Sequence, residues 1–128
     1  MTHPILIADM EESTREALKL ILANHASMIV AESQAHALEI LSDSKNISLL
    51  FLGLHDEDGI NTEIFADIRE KLPKLTVIAV GDYKSEDHAL EAVRQGATGY
   101  MIKPFKAEEV LATARQALPL QDDLKDCA

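Results

Sequence analysis

The sequence contains few cysteine and aromatic residues. There is one cysteine, Cys127, so no disulfide can form within the chain, and tryptophan is absent. Aromatic residues make up 4% of the 128 residues while 47% are hydrophobic, so the core must be aliphatic. A chain of this length can bury one such core without covalent or metal cross-links. The composition therefore predicts a single domain stabilised by aliphatic packing.

An excess of positive charge is also missing. The formal net charge is −10 and the isoelectric point is near 4.8. Because binding to nucleic acid requires a basic surface, we expect no direct nucleic-acid binding by this domain. No apolar run approaches the roughly 20 residues that span a bilayer, and the first residues lack the features of a signal peptide. We therefore expect a cytoplasmic protein without membrane contact.

Several catalytic motifs are absent as well. No glycine-rich phosphate loop follows the first apolar segment, and no Gly-x-Ser-x-Gly turn is present. The five histidines do not show the spacing of metal ligands (His3, His25, His36, His55 and His88). These absences predict that the protein is not an enzyme and that it has no cofactor.

Apolar segments alternate with segments of helical periodicity. Five strand-like runs lack polar alternation: Ile5–Ala8, Met28–Ala31, Ser48–Leu52, Thr76–Val80 and Thr98–Ile102. Each run is followed by an amphipathic segment, which is typical of a parallel sheet covered by helices on both faces. The pattern predicts a doubly wound α/β domain over residues 1–118. Residues 119–128 are interpreted as a tail or the stub of a linker.

The residues that follow each strand are the candidates for function, because ligands of such sheets bind at the carboxyl ends of the strands. Asp9, Met10 and Glu11 follow the first strand. The segment from Gly53 to Gly59 follows the third. Gly81-Asp82 ends the fourth strand and Lys103-Pro104 ends the fifth.

Three stretches together resemble a known family. They are Ile5-Leu6-Ile7-Ala8-Asp9 with Arg15 downstream, then Asp58-Gly59, and then the run from Ala89 to Phe105 that contains Gly99-Tyr100-Met101-Ile102-Lys103-Pro104. Over about residues 4–118 the chain resembles the CheY-like receiver domains of bacterial two-component response regulators. The resemblance implies a flavodoxin-like five-stranded parallel sheet of strand order 2-1-3-4-5.

The same resemblance implies a chemistry. In this family a histidine kinase phosphorylates an aspartate at the end of the third strand, and an acidic pair after the first strand holds Mg²⁺. A Ser or Thr after the fourth strand engages the phosphoryl group, and a lysine after the fifth strand pairs with it. The chain retains Asp9 of the acidic pair, Lys103, Pro104 and an aromatic switch residue, Tyr100.

Three positions depart from the pattern. An ungapped count back from Gly59 places Phe51 at the phosphoacceptor position, and Gly81 falls on the Ser/Thr position. Met10 replaces the second member of the acidic pair. A two-residue deletion after the third strand would instead align Gly53, which is no phosphoacceptor either.

These departures predict a pseudo-receiver that has kept the fold and lost the chemistry. Phe51 is expected to fill the former pocket as a core residue, and Lys103 to pair with Asp9 or with solvent. Mg²⁺ binding is doubtful, because only Asp9 and Glu11 remain as nearby carboxylates and Mg²⁺ prefers several hard oxygen ligands.

The resemblance also indicates where a partner would bind. Receivers dock effector domains or form homodimers through the fourth helix, fifth strand and fifth helix, so we expect a protein partner or a second copy of the chain there. The residues expected on this face are Arg94, Tyr100, Lys106 and Arg115. Two alternatives stay open. An acid of the loop Asp56–Asp58 could accept a phosphoryl group, or the chain could be the regulatory domain of a longer DNA-binding regulator.

Overall fold

Five parallel strands form the central sheet of the computed structural model, which describes residues 4–43 and 46–117. They are β1 (Ile5–Ala8), β2 (Met28–Ala31), β3 (Leu49–Gly53), β6 (Thr76–Gly81) and β7 (Gly99–Ile102). Their order is β2-β1-β3-β6-β7. Between β3 and β6 lies a small hairpin of β4 (His55–Asp56) and β5 (Gly59–Ile60), and without it the order is the predicted 2-1-3-4-5.

Five helices cover the two faces of the sheet. They are α1 (Glu12–Leu22), α2 (Gln34–Asp43), α3 (Glu63–Lys71), α4 (Glu86–Gln95) and α5 (Ala107–Ala117), with a short 3-10 turn at Tyr83–Ser85. Helices α1 and α5 pack on one face, while α2, α3 and α4 cover the other. The predicted flavodoxin-like, doubly wound α/β architecture is thus confirmed. The predicted tail at 119–128, with Cys127, lies outside the described residues.

The core consists of two apolar layers, one on each face of the sheet. Phe51, Ile7 and Leu18 belong to the layer under α1 and α5, whereas Phe65 and Leu50 belong to the layer under α2, α3 and α4. All five side chains are almost completely buried. Burial of one such side chain stabilises the fold by about 1.5–3 kcal/mol. The aliphatic core expected from the composition is therefore divided by the sheet.

The helix ends follow local sequence signals with one exception. Helix α3 ends before Pro73, and Gly96, with φ of +136°, closes α4 while its N–H bonds to the Ala92 and Val93 carbonyls. Ser85 stands at the N-cap of α4, where serine is a favoured residue, but its side chain makes no capping bond there. Its Oγ instead donates to Asp82 Oδ1 at 2.9 Å, because Ser85 ends the 3-10 turn with its side chain buried.

Candidate functional site at the carboxyl ends of the strands

Asp9 and Gly53 are neighbours at the carboxyl edge of the sheet. In the parallel register Ala8 pairs with Leu52, so the next residues, Asp9 and Gly53, lie side by side. A Cβ atom added to Gly53 would lie 2.7 Å from Asp9 Oδ2. The carboxylate of Asp9 therefore occupies the space into which a side chain at position 53 would project.

Phe51 does not lie at this edge, which corrects the sequence prediction. It pairs with Ile7 and Ile78 within the sheet, and its ring is fully buried in the layer under α1 and α5. The ungapped count from Gly59 therefore does not lead to the residue that lies beside Asp9. The alternative that aligned Gly53 is the one that the register supports. Either residue lacks a nucleophilic oxygen, so the predicted loss of the phosphoacceptor is unchanged.

The space beside Gly81 is filled by Leu54. A Cβ atom added to Gly81 would lie 2.6 Å from Leu54 Cδ1 and 3.3 Å from Ser85 Cβ. Leu54 is fully buried, and its N–H donates to the Val80 carbonyl at 2.9 Å. Phe51 is the buried core residue that was expected, but the side chain beside Gly81 is that of Leu54. The signal in the sequence was a single apolar residue at the start of an otherwise polar loop.

Lys103 bonds with two carboxylates. Its Nζ lies 3.6 Å from Asp9 Oδ2 and donates a hydrogen bond to Glu11 Oε1. The predicted pairing with Asp9 is present, whereas the bond with Glu11 was not foreseen. The available signal was an acid two residues beyond Asp9, since strand β1 and strand β7 end at the same edge of the sheet.

The two carboxylates have opposite electrostatic environments. Burial raises the pKa of Asp9, although the bond that its Oδ1 accepts from the Glu11 N–H and the charge of Lys103 act against this effect. The hydrogen bond from Lys103 lowers the pKa of Glu11, which is mostly exposed. Arg15 Nη1 donates to the Asp9 carbonyl at 2.7 Å and so fixes the backbone of that residue. Glu11 is therefore the better anion partner for the lysine.

This set of groups does not fit Mg²⁺. Such an ion needs several hard oxygen ligands in near-octahedral geometry. Both carboxylates are ion-paired with Lys103, Gly53 offers no side chain, and Met10 is a soft thioether that is 42% exposed. Over the described ranges, no three His, Cys, Asp or Glu residues cluster closely enough to hold a metal ion.

Gln34 fixes the segment that follows β3. Its buried amide donates to the Gly53 carbonyl at 2.9 Å and to the Asn61 carbonyl at 3.3 Å, and it accepts a bond from Asn61 Nδ2 at 3.0 Å. No sequence signal singled it out, because its partners are far away in the chain. Gln34 joins the start of α2 to both ends of the small hairpin.

The loop acids Asp56, Glu57 and Asp58 lie in the hairpin and its turn. Asp56 pairs with Gly59 across the hairpin, and its Oδ1 accepts a bond from the Glu57 N–H. Gly59 has φ of +117°, which suits glycine and accounts for the Asp58-Gly59 signal. Within the described part of the chain, none of the three carboxylates forms an ion pair with Lys103.

The predicted interaction face surrounds strand β7, which is an outer strand of the sheet. Arg94 is 71% exposed on α4 and pairs with Glu91 at 3.2 Å. The Tyr100 hydroxyl donates to Glu86 Oε2 at 3.2 Å, and this bond raises the pKa of Tyr100. Lys106 and Arg115 are exposed beside and on α5. Arg94, Tyr100 and Arg115 thus lie on α4, β7 and α5, and Lys106 lies directly before α5.

Comparison with known proteins identifies the family. Residues 5–115 match the response regulator receiver domain family. The chain belongs to this family. It is therefore a receiver domain of the two-component signalling type, as its resemblance implied. Among the described helices, none combines the length and apolar character needed to cross a membrane.

The relatives are longer proteins. The chain is 31% identical over 121 residues to the response regulator protein FleR of Pseudomonas aeruginosa. This alignment covers 92% of the chain and 25% of FleR. It is 32% identical over 118 residues to the sensory transduction protein LytT of Enterococcus faecalis, covering 88% of the receiver and 47% of LytT. The chain thus spans between a quarter and a half of the curated relatives that it matches.

Solved structures show the same fold. The receiver domain of NtrX from Brucella abortus superposes with a TM-score of 0.81 at 26% identity, covering 91% of this chain and 98% of that one. The beryllofluoride-activated NtrC4 receiver domain dimer superposes with a TM-score of 0.80 at 25% identity, covering 94% and 98%.

Proposed function

We propose that this receiver domain signals through contacts with other proteins and does not take up a phosphoryl group. The observation that carries the proposal is Gly53 at the end of β3, beside Asp9. Phosphoryl transfer to a carboxylate needs a nucleophilic oxygen in line and a cation to neutralise the developing charge. Gly53 supplies no oxygen, and the carboxylates that could hold a cation are bonded to Lys103.

The working surface in this proposal is the α4-β7-α5 face, and the partner is an effector domain or a second copy of the chain. Several relatives are named as transcriptional regulators, among them AlgB of Pseudomonas putida, of which this chain covers 25%. This length relation favours a regulatory domain of a longer protein. We place such a protein in the cytoplasm, and its receiver would pass a signal on without catalysing a reaction.

Incubation with acetyl phosphate and Mg²⁺, followed by intact-mass measurement, tests the loss of phosphoryl uptake. We expect no mass gain, and no change in the amide chemical shifts of Tyr100 and Lys103 when beryllofluoride and Mg²⁺ are added. The NtrC4 receiver, whose solved structure is the beryllofluoride-activated form, serves as the positive control. A stoichiometric gain of one phosphoryl group would refute the proposal.

The second candidate is a receiver that accepts a phosphoryl group on a loop acid. Asp56 is only partly buried in the hairpin at the same edge of the sheet, which is the observation that keeps it open. The variant Asp56→Asn with Glu57→Gln and Asp58→Asn separates the two. If the wild-type chain gained mass and this variant did not, the loop would be the site.

A further inference from the structure

We propose that Glu11 is a built-in counter-anion that positions Lys103 and thereby ties the start of α1 to the end of β7. The proposal rests on the proposed function, because it concerns a site in which no phosphoryl group is present to pair with the lysine. In its place the chain supplies an anion of its own. Glu11 acts through Lys103, so it is a positioning residue.

Lys103 is fixed at both its backbone and its side chain. Its N–H donates to the Gly81 carbonyl at 2.7 Å, which anchors the end of β7 to β6. The Nζ atom lies 3.6 Å from Asp9 Oδ2, beyond a good hydrogen bond, so the directional bond is the one to Glu11. The Lys103 side chain is only 21% exposed, and a charge-assisted bond is stronger there than at a fully solvated surface.

Glu11 is itself held in place from two elements. Its N–H donates to Asp9 Oδ1 at 2.8 Å, and its carbonyl accepts from the Arg15 N–H at 3.2 Å. Its Oε1 also accepts a bond from Thr14 Oγ1 at 3.4 Å. The carboxylate is therefore directed at Lys103 by the end of β1 and the first turn of α1, although the side chain is 62% exposed.

The position of Lys103 affects the interaction face through a short length of chain. Tyr100 lies on strand β7, three residues before Lys103, and its hydroxyl donates a hydrogen bond to Glu86 of α4. A shift of the strand end would thus reach the residues that contact a partner. Glu11 also interacts electrostatically with His55, and Lys103 with Asp82. The experiment must therefore isolate the contact between Glu11 and Lys103.

The experiment compares Glu11→Gln with Glu12→Gln. Glu12 is the adjacent acid, exposed at the start of α1, so both variants remove the same charge from the same turn. We expect Glu11→Gln to shift the amide signals of residues 99–106, and Glu12→Gln to leave them in place. If the two variants gave the same pattern, Glu11 would have no positioning role.

A double-mutant cycle of Glu11→Gln and Lys103→Met supplies a second measurement. We expect the two changes in unfolding free energy at pH 7 to be non-additive, because each variant removes the same contact. Additive changes would overturn the proposal. A mass gain of the wild-type chain with acetyl phosphate would refute the proposed function instead, so the two failures are distinguishable.

Discussion

Burial of the Asp9 side chain disfavours its ionised form. The side chain is 7% exposed, and burial raises its pKa, while the Glu11 N–H and Lys103 offset only part of this cost. A raised pKa in the folded state means that the ionised carboxylate destabilises the fold at neutral pH. The pKa of Glu11 shifts in the opposite direction, because the hydrogen bond from Lys103 lowers it.

The variant Asp9→Asn is therefore expected to be more stable than the wild type at pH 7. The amide oxygen can still accept the bond from the Glu11 N–H, and the buried charge is gone. We expect a gain in unfolding free energy, measured by urea denaturation. The gain should shrink as the pH falls through the raised pKa of Asp9, because the wild type then takes up a proton and loses the same charge.

Glu11→Gln provides the contrasting variant. Its carboxylate stabilises the fold above the unfolded-state pKa of a glutamate, and that contribution is lost as the pH falls through its lowered folded-state pKa. The two variants should thus change stability at pH 7 in opposite directions. An Asp9→Asn protein less stable than the wild type at pH 7 would show that the pairing with Lys103 outweighs the cost of burial.

For single residues, the sequence predicted which residues belong to the candidate site better than it predicted where they lie. Asp9, Lys103 and Gly81 lie at the strand ends as expected, because strand ends were set by clear apolar runs. Phe51 was assigned to the edge by a count along the chain, whereas the strand register places Gly53 beside Asp9. Leu54 escaped notice because its role depends on the empty space beside Gly81.

Among the elements, the connection from β3 to α3 depends most on a single side chain. The Gln34 amide pairs with the Gly53 carbonyl and with Asn61, so the segment that contains Leu54 is bonded to α2. A buried polar group left without a partner costs about 1–3 kcal/mol. The hairpin is therefore held in place by hydrogen bonds with a residue of α2.

Replacing this amide should destabilise the protein clearly. Gln34→Met keeps the length of the side chain but leaves the Gly53 carbonyl and Asn61 Nδ2 without their bonds, so we expect a loss of about 1–3 kcal/mol in urea unfolding. The matched control is Gln95→Met, because the partner of the Gln95 amide among the described residues is Glu91 on the same helix, at 3.0 Å. That surface pair is worth about 0.2–0.5 kcal/mol. Equal losses in the two variants would contradict the assigned role of Gln34.

The elements themselves were largely predictable. Each strand was found within one residue of its observed ends, because buried parallel strands have continuous apolar runs. The hairpin of β4 and β5 was not expected, since two-residue strands have no periodicity to detect. The one-residue shift at the end of β3 mattered most, because it brings Gly53 into the sheet.

For the molecule as a whole, acids outnumber bases, and the face around β7 carries charges of both signs. The net charge is −10, and the exposed Arg94, Lys106 and Arg115 lie on or beside α4 and α5, which also carry acids such as Glu91 and Glu108. A partner with a complementary pattern of charges would be oriented at this edge, because complementary fields set orientation and association rate. The strand order was predicted from the family resemblance, because the local hydrophobic pattern predicts a parallel sheet but not the order in which its strands lie.

Reversing two of these charges tests the face. The variant Arg94→Glu with Arg115→Glu should weaken self-association or binding to the effector region of the full-length protein by at least about tenfold, or about 1.4 kcal/mol. Sedimentation equilibrium and titration calorimetry measure the two cases. The control, Lys19→Glu with Lys71→Glu, makes the same charge change on α1 and α3, and Lys19, like Arg94, pairs with an acid of its own helix. Equal affinities for both variants would show that the face is not the binding surface.

The way in which Asp9 and Leu54 fill the site has a consequence for any attempt to build a phosphoacceptor into it. An aspartate introduced at Gly53 would place its Cβ atom 2.7 Å from Asp9 Oδ2, and a threonine at Gly81 would meet Leu54 Cδ1 at 2.6 Å. Each substitution thus requires the neighbouring side chain to shift. A redesign of the site would therefore have to treat Asp9 and Leu54 together with the two glycines.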